Sequence, residues 1–461
     1  VNPADETIVA ISTPPGRGGI GIVRLSGPEA RAVAEPLLRL RRVLEPGRTR
    51  FAEVVDGDSV LDEAVVTWFA GPRSYTGEDV VEIAAHGSPV LLDWLLRRCV
   101  AGGARLAEPG EFTQRAFLAG RLDLTQAEAV GGLIEATTLA QARTAAMQLG
   151  GGLSRQVAPV KRELIWLIAA LEAGVDFAED DLEVMAEAEI AGRMAAIETP
   201  LRALEASFAY GRVLREGFRL AIVGRPNAGK SSLFNRLVGR ERAIVTAKAG
   251  TTRDPVAERV EMAGIPVELI DTAGLRVSGD EAEEMGVAKS REAMAEADVV
   301  LLVVAADGEL HREDRAVIEA AAGRRLIVAA NKIDLVSQGV SWRAGLAAEV
   351  VETSAVAGTG LAVSGLAVSG IDRLREAILE AVQATPVAAD TVAVTNLRQQ
   401  GAIRAALTAI DAAKQGLAEG MPHEMLLLDL HEALGALDGL TGTTHIEKIL
   451  EVVFGSFCIG K

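Results

Sequence analysis

The sequence predicts a multidomain chain of α/β plus α class. It has an α/β N-terminal domain, a helical domain, and a Ras-like P-loop domain inserted into the helical one. Three observations predict this. First, Gly224-Arg225-Pro226-Asn227-Ala228-Gly229-Lys230-Ser231 fits the phosphate-loop pattern G-x-x-x-x-G-K-[ST]. A strand-like run at 218–223 feeds it and a helical pattern from Ser232 leaves it, which is the context the motif needs. Second, Ala/Leu/Glu-rich helical stretches flank this unit on both sides, and the termini of such a domain lie close enough for host helices to pack together. Third, 461 residues exceed one ordinary core, so about two to four domains are expected.

The boundaries follow from changes of pattern. Residues 1–118 carry short apolar or alternating runs at 7–12, 19–26, 51–55, 64–69 and 80–85, split by turn residues. Residues 119–216 form the first helical part. Thr125-Gln126-Ala127-Glu128 reads as a capping box near its start, and Gly150-Gly151-Gly152 and Glu198-Thr199-Pro200 punctuate it. The P-loop unit occupies 217–384. Residues 385–461 are the second helical part. A pentapeptide at 361–365 recurs at 366–370 and reads as a lengthened loop, too short for a repeat architecture.

The nucleotide motifs come in order. The glycines let the backbone wrap phosphates, and the helix N-terminus adds its dipole. The wrapping loop is Asn227, Ala228 and Gly229, followed by Lys230, Ser231 and Ser232. Lys230 would reach the β- and γ-phosphates, and the Ser231 hydroxyl would hold Mg²⁺. Gly250-Thr251-Thr252-Arg253-Asp254 fits a first switch, with Thr252 as a Mg²⁺ ligand. A strand at 267–270 ends in Asp271-Thr272-Ala273-Gly274, where a carboxylate can hold the Mg²⁺ shell and the Gly274 N–H can meet a γ-phosphate. Apolar runs at 299–306 and 326–330 are of buried-strand type. The second ends in Asn331-Lys332-Ile333-Asp334, the N-K-x-D element of GTPases. Asp334 can accept two hydrogen bonds from guanine N1 and N2, which adenine cannot offer. Lys332 would lie along the base, Asn331 would tie this loop to the P-loop, and Ser354-Ala355 matches the last guanine-side loop.

Leu275 stands where Ras-like enzymes carry the glutamine that orients water. An apolar side chain cannot do this, so another group must. A cation between the phosphates would supply missing positive charge, with Asn227 as a candidate ligand. Arg253 and Arg276 are candidate arginine fingers. Gly16-Arg17-Gly18-Gly19-Ile20-Gly21 satisfies G-x-G-x-x-G, but the residues after it read as a strand rather than the helix a dinucleotide fingerprint needs.

Composition limits the remaining classes. The net charge of −17 argues against nonspecific nucleic-acid binding by the whole surface. A local basic patch or a partner that holds the nucleic acid stays open. Two cysteines, Cys99 and Cys458, suggest no disulfide framework and fit a reducing cytoplasm. The acidic N-terminus lacks a signal-peptide pattern, and no apolar run reaches the ~20 residues of a membrane span.

The chain resembles the MnmE (TrmE) tRNA-modification GTPase family along essentially its whole length. The resemblance rests on Thr13–Gly21, Tyr75-Thr76-Gly77-Glu78-Asp79, Pro109-Gly110-Glu111-Phe112, Leu122–Ala129, the P-loop, and the terminal Phe457-Cys458-Ile459-Gly460-Lys461. It implies an N-terminal domain of folate-binding type that forms a homodimer and takes a 5-formyltetrahydrofolate-type ligand. Arg24, Glu82 and Arg121 would line that pocket and Lys461 would reach it. Arg121 stands where the family pattern has lysine, which keeps charge but not geometry. The resemblance further implies K⁺ held by Asn227, Thr246, the Lys248 carbonyl and Thr251, with Glu283 positioning the water. It implies paired GTPase domains and a flavin-dependent partner that carries FAD in a hetero-oligomer. That complex would install an aminomethyl or carboxymethylaminomethyl-type group on C5 of the wobble uridine, position 34, of certain tRNAs. Cys458 is a candidate catalytic residue of that step. Two other readings remain: an Era-like GTP-regulated ribosome-assembly or signalling switch, and a folate-binding protein whose GTPase has decayed. The intact motifs disfavour the last.

Overall fold

The computed structural model describes residues 6–176, 185–238, 257–271, 294–336, 340–343, 346–355, 370–382, 392–442 and 460. Its contacts divide the chain into two compact units. One is Val1–Gly131 with Met147–Ile197 and Ala405–Lys461; the other is Gly132–Ala146 with Glu198–Arg404.

The first unit contains a seven-stranded sheet. Its strands are β1 (Ile8–Ile11), β2 (Gly18–Ser26), β3 (Leu38–Leu40), β4 (Thr49–Asp56), β5 (Ser59–Phe69), β6 (Val80–Gly87) and β7 (Arg105–Leu106), in the order β3-β4-β5-β6-β2-β1-β7. The five expected strands are β1, β2, β4, β5 and β6. Strands β3 and β7 are too short for an alternating period to be visible. Three helices accompany the sheet: α1 (Ala30–Ala34), α2 (Pro89–Ala101) and α3 (Glu111–Leu118). Alternation turns Val23, Leu25, Val81 and Ile83 onto one face, where Leu92, Leu95 and Cys99 of α2 complete the core. The six-residue glycine pattern at 16–21 runs into β2, as a strand and not a helix. Gly21 is there for packing, since a Cβ on it would lie 2.4 Å from Leu92 Cδ1.

Next come α4 (Leu124–Glu135), α5 (Leu139–Leu149), α6 (Gly152–Asp176) and α7 (Glu187–Glu216). Two sequence readings need correction here. The box at the start of α4 lies two residues earlier than expected. Asp123 Oδ1 accepts the Gln126 N–H at 2.9 Å, and Gln126 Oε1 accepts the Asp123 N–H at 3.0 Å. Asp123 caps as well as threonine does. The Thr125 hydroxyl instead donates to Asp123 Oδ1. Nor does Glu198-Thr199-Pro200 break α7, which runs through Pro200. An interior proline costs about 3 kcal/mol. Ile197, Leu201 and Leu204, buried on either side of it, outweigh that cost.

The second unit holds a six-stranded sheet: β8 (Phe218–Val223), β9 (Ala257–Met262), β10 (Ile265–Asp271), β11 (Val299–Ala305), β12 (Arg325–Asn331) and β13 (Glu349–Thr353). The order is β13-β12-β11-β8-β10-β9, parallel throughout except for the β9–β10 hairpin. Its helices are α8 (Lys230–Val238), α9 (Arg312–Ala320) and α10 (Gly370–Ala381). Cores form on both faces of the sheet: Val299, Leu301 and Val303 enter one, and Val300, Leu302 and Val304 the other. That two-sided burial is why β11 reads as an unbroken apolar run.

After the sheet, the extended stretch Val392–Val394 lies against α7. The Val394 N–H donates to Ser207 Oγ at 3.1 Å, and a Cβ on Gly211 would lie 2.1 Å from Val394 O. The chain continues into α11 (Leu397–Ala418) and α12 (His423–Thr441). In the first unit α12 packs on α6, with Lys161 Nζ 2.5 Å from Asp438 Oδ1. No described helix is long and apolar enough to cross a membrane.

Candidate functional site

Parallel strands bring chain-distant residues to one edge. Val223, Asp271, Ala305, Asn331 and Thr353 end β8, β10, β11, β12 and β13, and ligands bind outside such carboxyl ends. The P-loop leaves β8 at Gly224, whose φ of +140° favours glycine. A Cβ there would stand 2.3 Å from Val303 O. Asn227 takes a left-handed φ of +64°, a conformation asparagine tolerates, and is exposed. Ala228 is buried. Gly229, at φ +96°, lets the loop approach Asn331; a Cβ would stand 2.2 Å from Asn331 Nδ2.

Lys230 opens α8 and donates through Nζ to the carbonyls of Gly224 at 2.6 Å and Arg225 at 2.9 Å. Its ammonium is therefore held over the loop at the positive end of the helix dipole. Ser231 and Ser232 are exposed on the first turn. Asp271 pairs with Ile222, so the start of D-x-x-G lies in the strand beside the P-loop strand.

The base-side loop is tied to the phosphate loop by Asn331. Its Nδ2 donates to Ala228 O at 3.0 Å, and its Oδ1 accepts the Ala355 N–H at 3.2 Å and the Thr353 hydroxyl at 3.4 Å. Asn331 is 1% exposed, so these bonds satisfy a group that would be costly to bury alone. Lys332 takes a left-handed φ of +66°, and buried Ile333 anchors the turn that leaves Asp334 exposed. Ser354 and Ala355 are buried. Sequence reasoning missed Arg236, whose Nε donates to Ala355 O at 2.9 Å.

In the other unit, Arg24 and Glu82 are cross-strand partners on β2 and β6, with Arg24 Nη2 2.7 Å from Glu82 Oε1. The Arg24 guanidinium also lies 5.9 Å from the Tyr75 ring centroid and 5.7 Å from that of Phe112. Arg121 is exposed and its stem lies beside Gly77. Gly460 reaches β1: its carbonyl accepts the Ser12 hydroxyl at 3.0 Å, and a Cβ on it would strike Ile11 O. Thr246, Lys248, Thr251, Thr252, Thr272, Ala273, Gly274, Leu275, Glu283, Cys458 and Lys461, with most of the 361–370 repeat, lie outside the described residues.

The same unit holds a buried charge cluster that the sequence did not reveal. Arg115 donates to Glu111 at 2.9 Å, to both Glu78 oxygens at 3.1 Å and to Glu6 O at 2.8 Å. The Ser26 hydroxyl donates to Glu78 at 2.6 Å and meets Thr76 at 2.7 Å. Arg105 binds Glu111 from the other side. Burial alone would raise the Glu111 carboxyl. Hydrogen bonds from Arg105, the Glu108 N–H and Arg115 outweigh it and hold the group below its ordinary value. The quoted motifs at 75–79 and 109–112 supply these carboxylates. Cys99 is buried, and desolvation pushes its thiol up to about 12, so it is a packing residue. Among the described residues no cluster of three or more His, Cys, Asp or Glu could hold a metal.

Comparison with known proteins matches residues 7–121 to the family described as GTP-binding protein TrmE N-terminus, and residues 124–458 to the MnmE helical domain. The tRNA modification GTPase MnmE of Koribacter versatilis is 54% identical over 99% of both chains. The proteins of that name from Listeria welshimeri and Symbiobacterium thermophilum are 40% and 43% identical over 99% of this chain and 99% and 100% of theirs. Among solved structures, Aquifex aeolicus Era bound to GDP·AlF4⁻ is 25% identical over 42% of this chain and 66% of that one. Its TM-score of 0.27 is too low to carry an argument.

Proposed function

We propose that this chain, which belongs to the MnmE family of tRNA modification GTPases, hydrolyses GTP at the carboxyl edge of its six-stranded sheet and takes part in modifying tRNA. The observation that carries the first half is Asn331, which joins the N-K-x-D turn, the P-loop and the Ser354-Ala355 loop through one buried side chain. Lys230 and the N–H groups at the start of α8 bind the phosphates. Ser231 and Thr252 would hold Mg²⁺, whose charge supports the developing negative charge on the phosphate oxygens. Ser231 fits this task because its hydroxyl is exposed on the helix turn that follows the loop. Asn227 would join Thr246, Thr251 and the Lys248 carbonyl around K⁺. Glu283 would orient the water in place of Leu275. GTP and water then give GDP and phosphate.

Asp334→Asn tests the guanine reading. Two hydrogen bonds to a carboxylate, each worth about 1.5–3 kcal/mol, are replaced by one acceptor and one donor. GDP affinity should fall by ~100-fold or more, while xanthosine diphosphate, whose C2 carbonyl suits the new donor, should gain. Unchanged GDP binding by competition assay would remove Asp334 from base recognition.

The second half rests on family membership, and we extend it. We take 119–216 and 385–461 as one helical domain interrupted by the GTPase domain at 217–384. The N-terminal domain would form the homodimer and take a reduced one-carbon folate. A cation, an acceptor carboxylate and two aromatic rings around Arg24 and Glu82 suit a flat polar heterocycle with an acidic tail. Calorimetry on the full chain should detect binding of a formylated reduced folate. Arg24→Ala should weaken it at least tenfold, and no heat at high ligand concentration would count against the assignment.

A flavin-dependent partner would supply FAD and much of the positive surface that a −17 chain lacks. Together they would modify C5 of the wobble uridine in the cytoplasm. Cys458→Ser should abolish modification in a reconstitution with the flavoprotein, GTP, K⁺, a one-carbon folate and tRNA, while GTP turnover continues. Full modification by this variant would remove Cys458 from the chemistry. A wild-type chain that never modifies tRNA would favour the Era-like switch.

A further inference from the structure

Helix α8 touches two of the loops assigned to the nucleotide. Its first residue, Lys230, is bonded over the P-loop. Six residues later, in its last turn, Arg236 donates through Nε to Ala355 O at 2.9 Å. At about 1.5 Å of rise per residue, the two contacts are about 9 Å apart along one rigid element. Between and beside them, Leu233 and Leu237 are 0% and 1% exposed and fix the helix in the core on one face of the sheet. The last turn is itself held. Arg375, on α10, donates through Nη2 to Arg236 O at 3.2 Å and Leu237 O at 3.4 Å. Carbonyls at a helix end lack intrahelical partners, and a cation suits the negative end of the dipole. Asp372 Oδ1 in turn accepts from Arg375 Nη1 at 3.3 Å.

Ala355 is thus gripped through both of its backbone polar groups. Its N–H donates to Asn331 Oδ1 at 3.2 Å, from the end of β12, and its carbonyl accepts from Arg236, on α8. Thr353 and Ser354, just before it, are fully buried. Alanine has no polar side chain. A loop that meets a base through this residue does so with its backbone, and therefore depends on where that backbone is held.

We infer that Arg236 is a positioning residue for guanine-nucleotide binding: it sets the Ala355 backbone at a fixed distance from the P-loop, so that the base loop and the phosphate loop are spaced for one ligand before it arrives. The inference rests on the GTPase reading above. Spacing fixed in advance lowers the ordering cost of binding. The base stays in place while the terminal phosphate is cleaved, so Arg236 supports the ground state and the transition state equally. Its effect falls on affinity, for GDP and GTP alike, and not on the hydrolytic step.

Arg236→Met in the full chain keeps the aliphatic stem and removes the donor. Affinity for GDP and for a non-hydrolysable GTP analogue should each fall about fivefold, mostly through faster release. That is the size of an ordinary hydrogen bond and not of a buried charged one, because Arg236 is exposed. The single-turnover rate of hydrolysis at saturation should stay within about twofold of the parent. Arg236→Lys keeps a cationic donor and should recover most of the affinity. A folded Met variant with unchanged GDP affinity overturns the inference. So does a hydrolysis rate that falls as far as the affinity, which would mean general loosening, and so does a Lys variant no tighter than Met. If Met prevents folding, amide exchange at Ala355 in the nucleotide-free wild-type chain decides: a loop held in advance is protected there, and exchange at the rate of an open loop overturns the inference. A wild-type chain that binds no guanine nucleotide would instead sink the GTPase reading itself.

Discussion

GTP turnover by this chain should be rapid in K⁺ and fall by a factor on the order of 10³–10⁵ in Na⁺, the range lost when a cation that stabilises the phosphoryl-transfer transition state is removed. Two features motivate this. Leu275 replaces the usual water-orienting glutamine. Asn227 is left-handed and exposed beside Ala228, where a side-chain oxygen can help hold a monovalent ion next to the phosphates. Na⁺ is smaller than K⁺, so oxygens that suit K⁺ would hold it less well. Glu283→Ala should lower kcat while leaving GTP affinity nearly unchanged, because the role proposed for it is to orient water. Equal rates in the two salts would sink the cation proposal. A binding defect in the Glu283 variant would remove it from the catalytic role.

Arg115→Met should destabilise the first unit by about 3–5 kcal/mol, the usual consequence of removing one partner from a buried ion pair. Met preserves much of the volume, so the loss is electrostatic and not a cavity. The Arg115 and Glu111 side chains are 4% and 5% exposed, and Glu78 is 18% exposed, so water cannot replace the guanidinium. The pH dependence has a definite sign. Glu111 is held below its ordinary value of 4.5, so its contribution is fully present above that value. It is lost as pH falls through the lowered folded value. Acid unfolding of the parent should therefore show this limb, and Glu111→Gln should flatten it. Thermal melts followed by N-terminal-domain amide exchange would report both effects. A Met variant as stable as the parent would mean that the cluster carries no net stability.

The legible parts of the chain were the local ones. The P-loop, Asn331-Lys332-Ile333-Asp334 and Asp271 announce themselves within a few residues. Strands β11 and β12 show as apolar runs because both their faces are buried. What stayed hidden depends on partners far away in sequence. Arg24 and Glu82 are 58 residues apart, and only the β2–β6 register sets them opposite each other. The buried Arg115 looks like any helical arginine until Glu78 and Glu111 are brought to it. Local rules also misled where alternatives were close: Asp123 outcompeted Thr125 as a cap, and packing around Pro200 overrode its helix-breaking tendency.

The contact between α7 and Val392–Val394 has a consequence for how the chain is made. Ser207 and Val394 are 187 residues apart, and everything between them must be synthesised before the contact can close. At about 5–20 residues per second the ribosome takes on the order of ten to forty seconds over that stretch. Throughout this interval the Ser207–Gly211 face of the helix has emerged without its native cover. Closing so long a loop is entropically unfavourable for an unstructured chain, and the prior folding of the six-stranded sheet shortens the distance to be closed. Gly211 offers no side chain of its own to a wrong partner, and its missing Cβ is what leaves room for the Val394 carbonyl. The residue that permits the tight native contact thus also limits the hazard of the delay that precedes it.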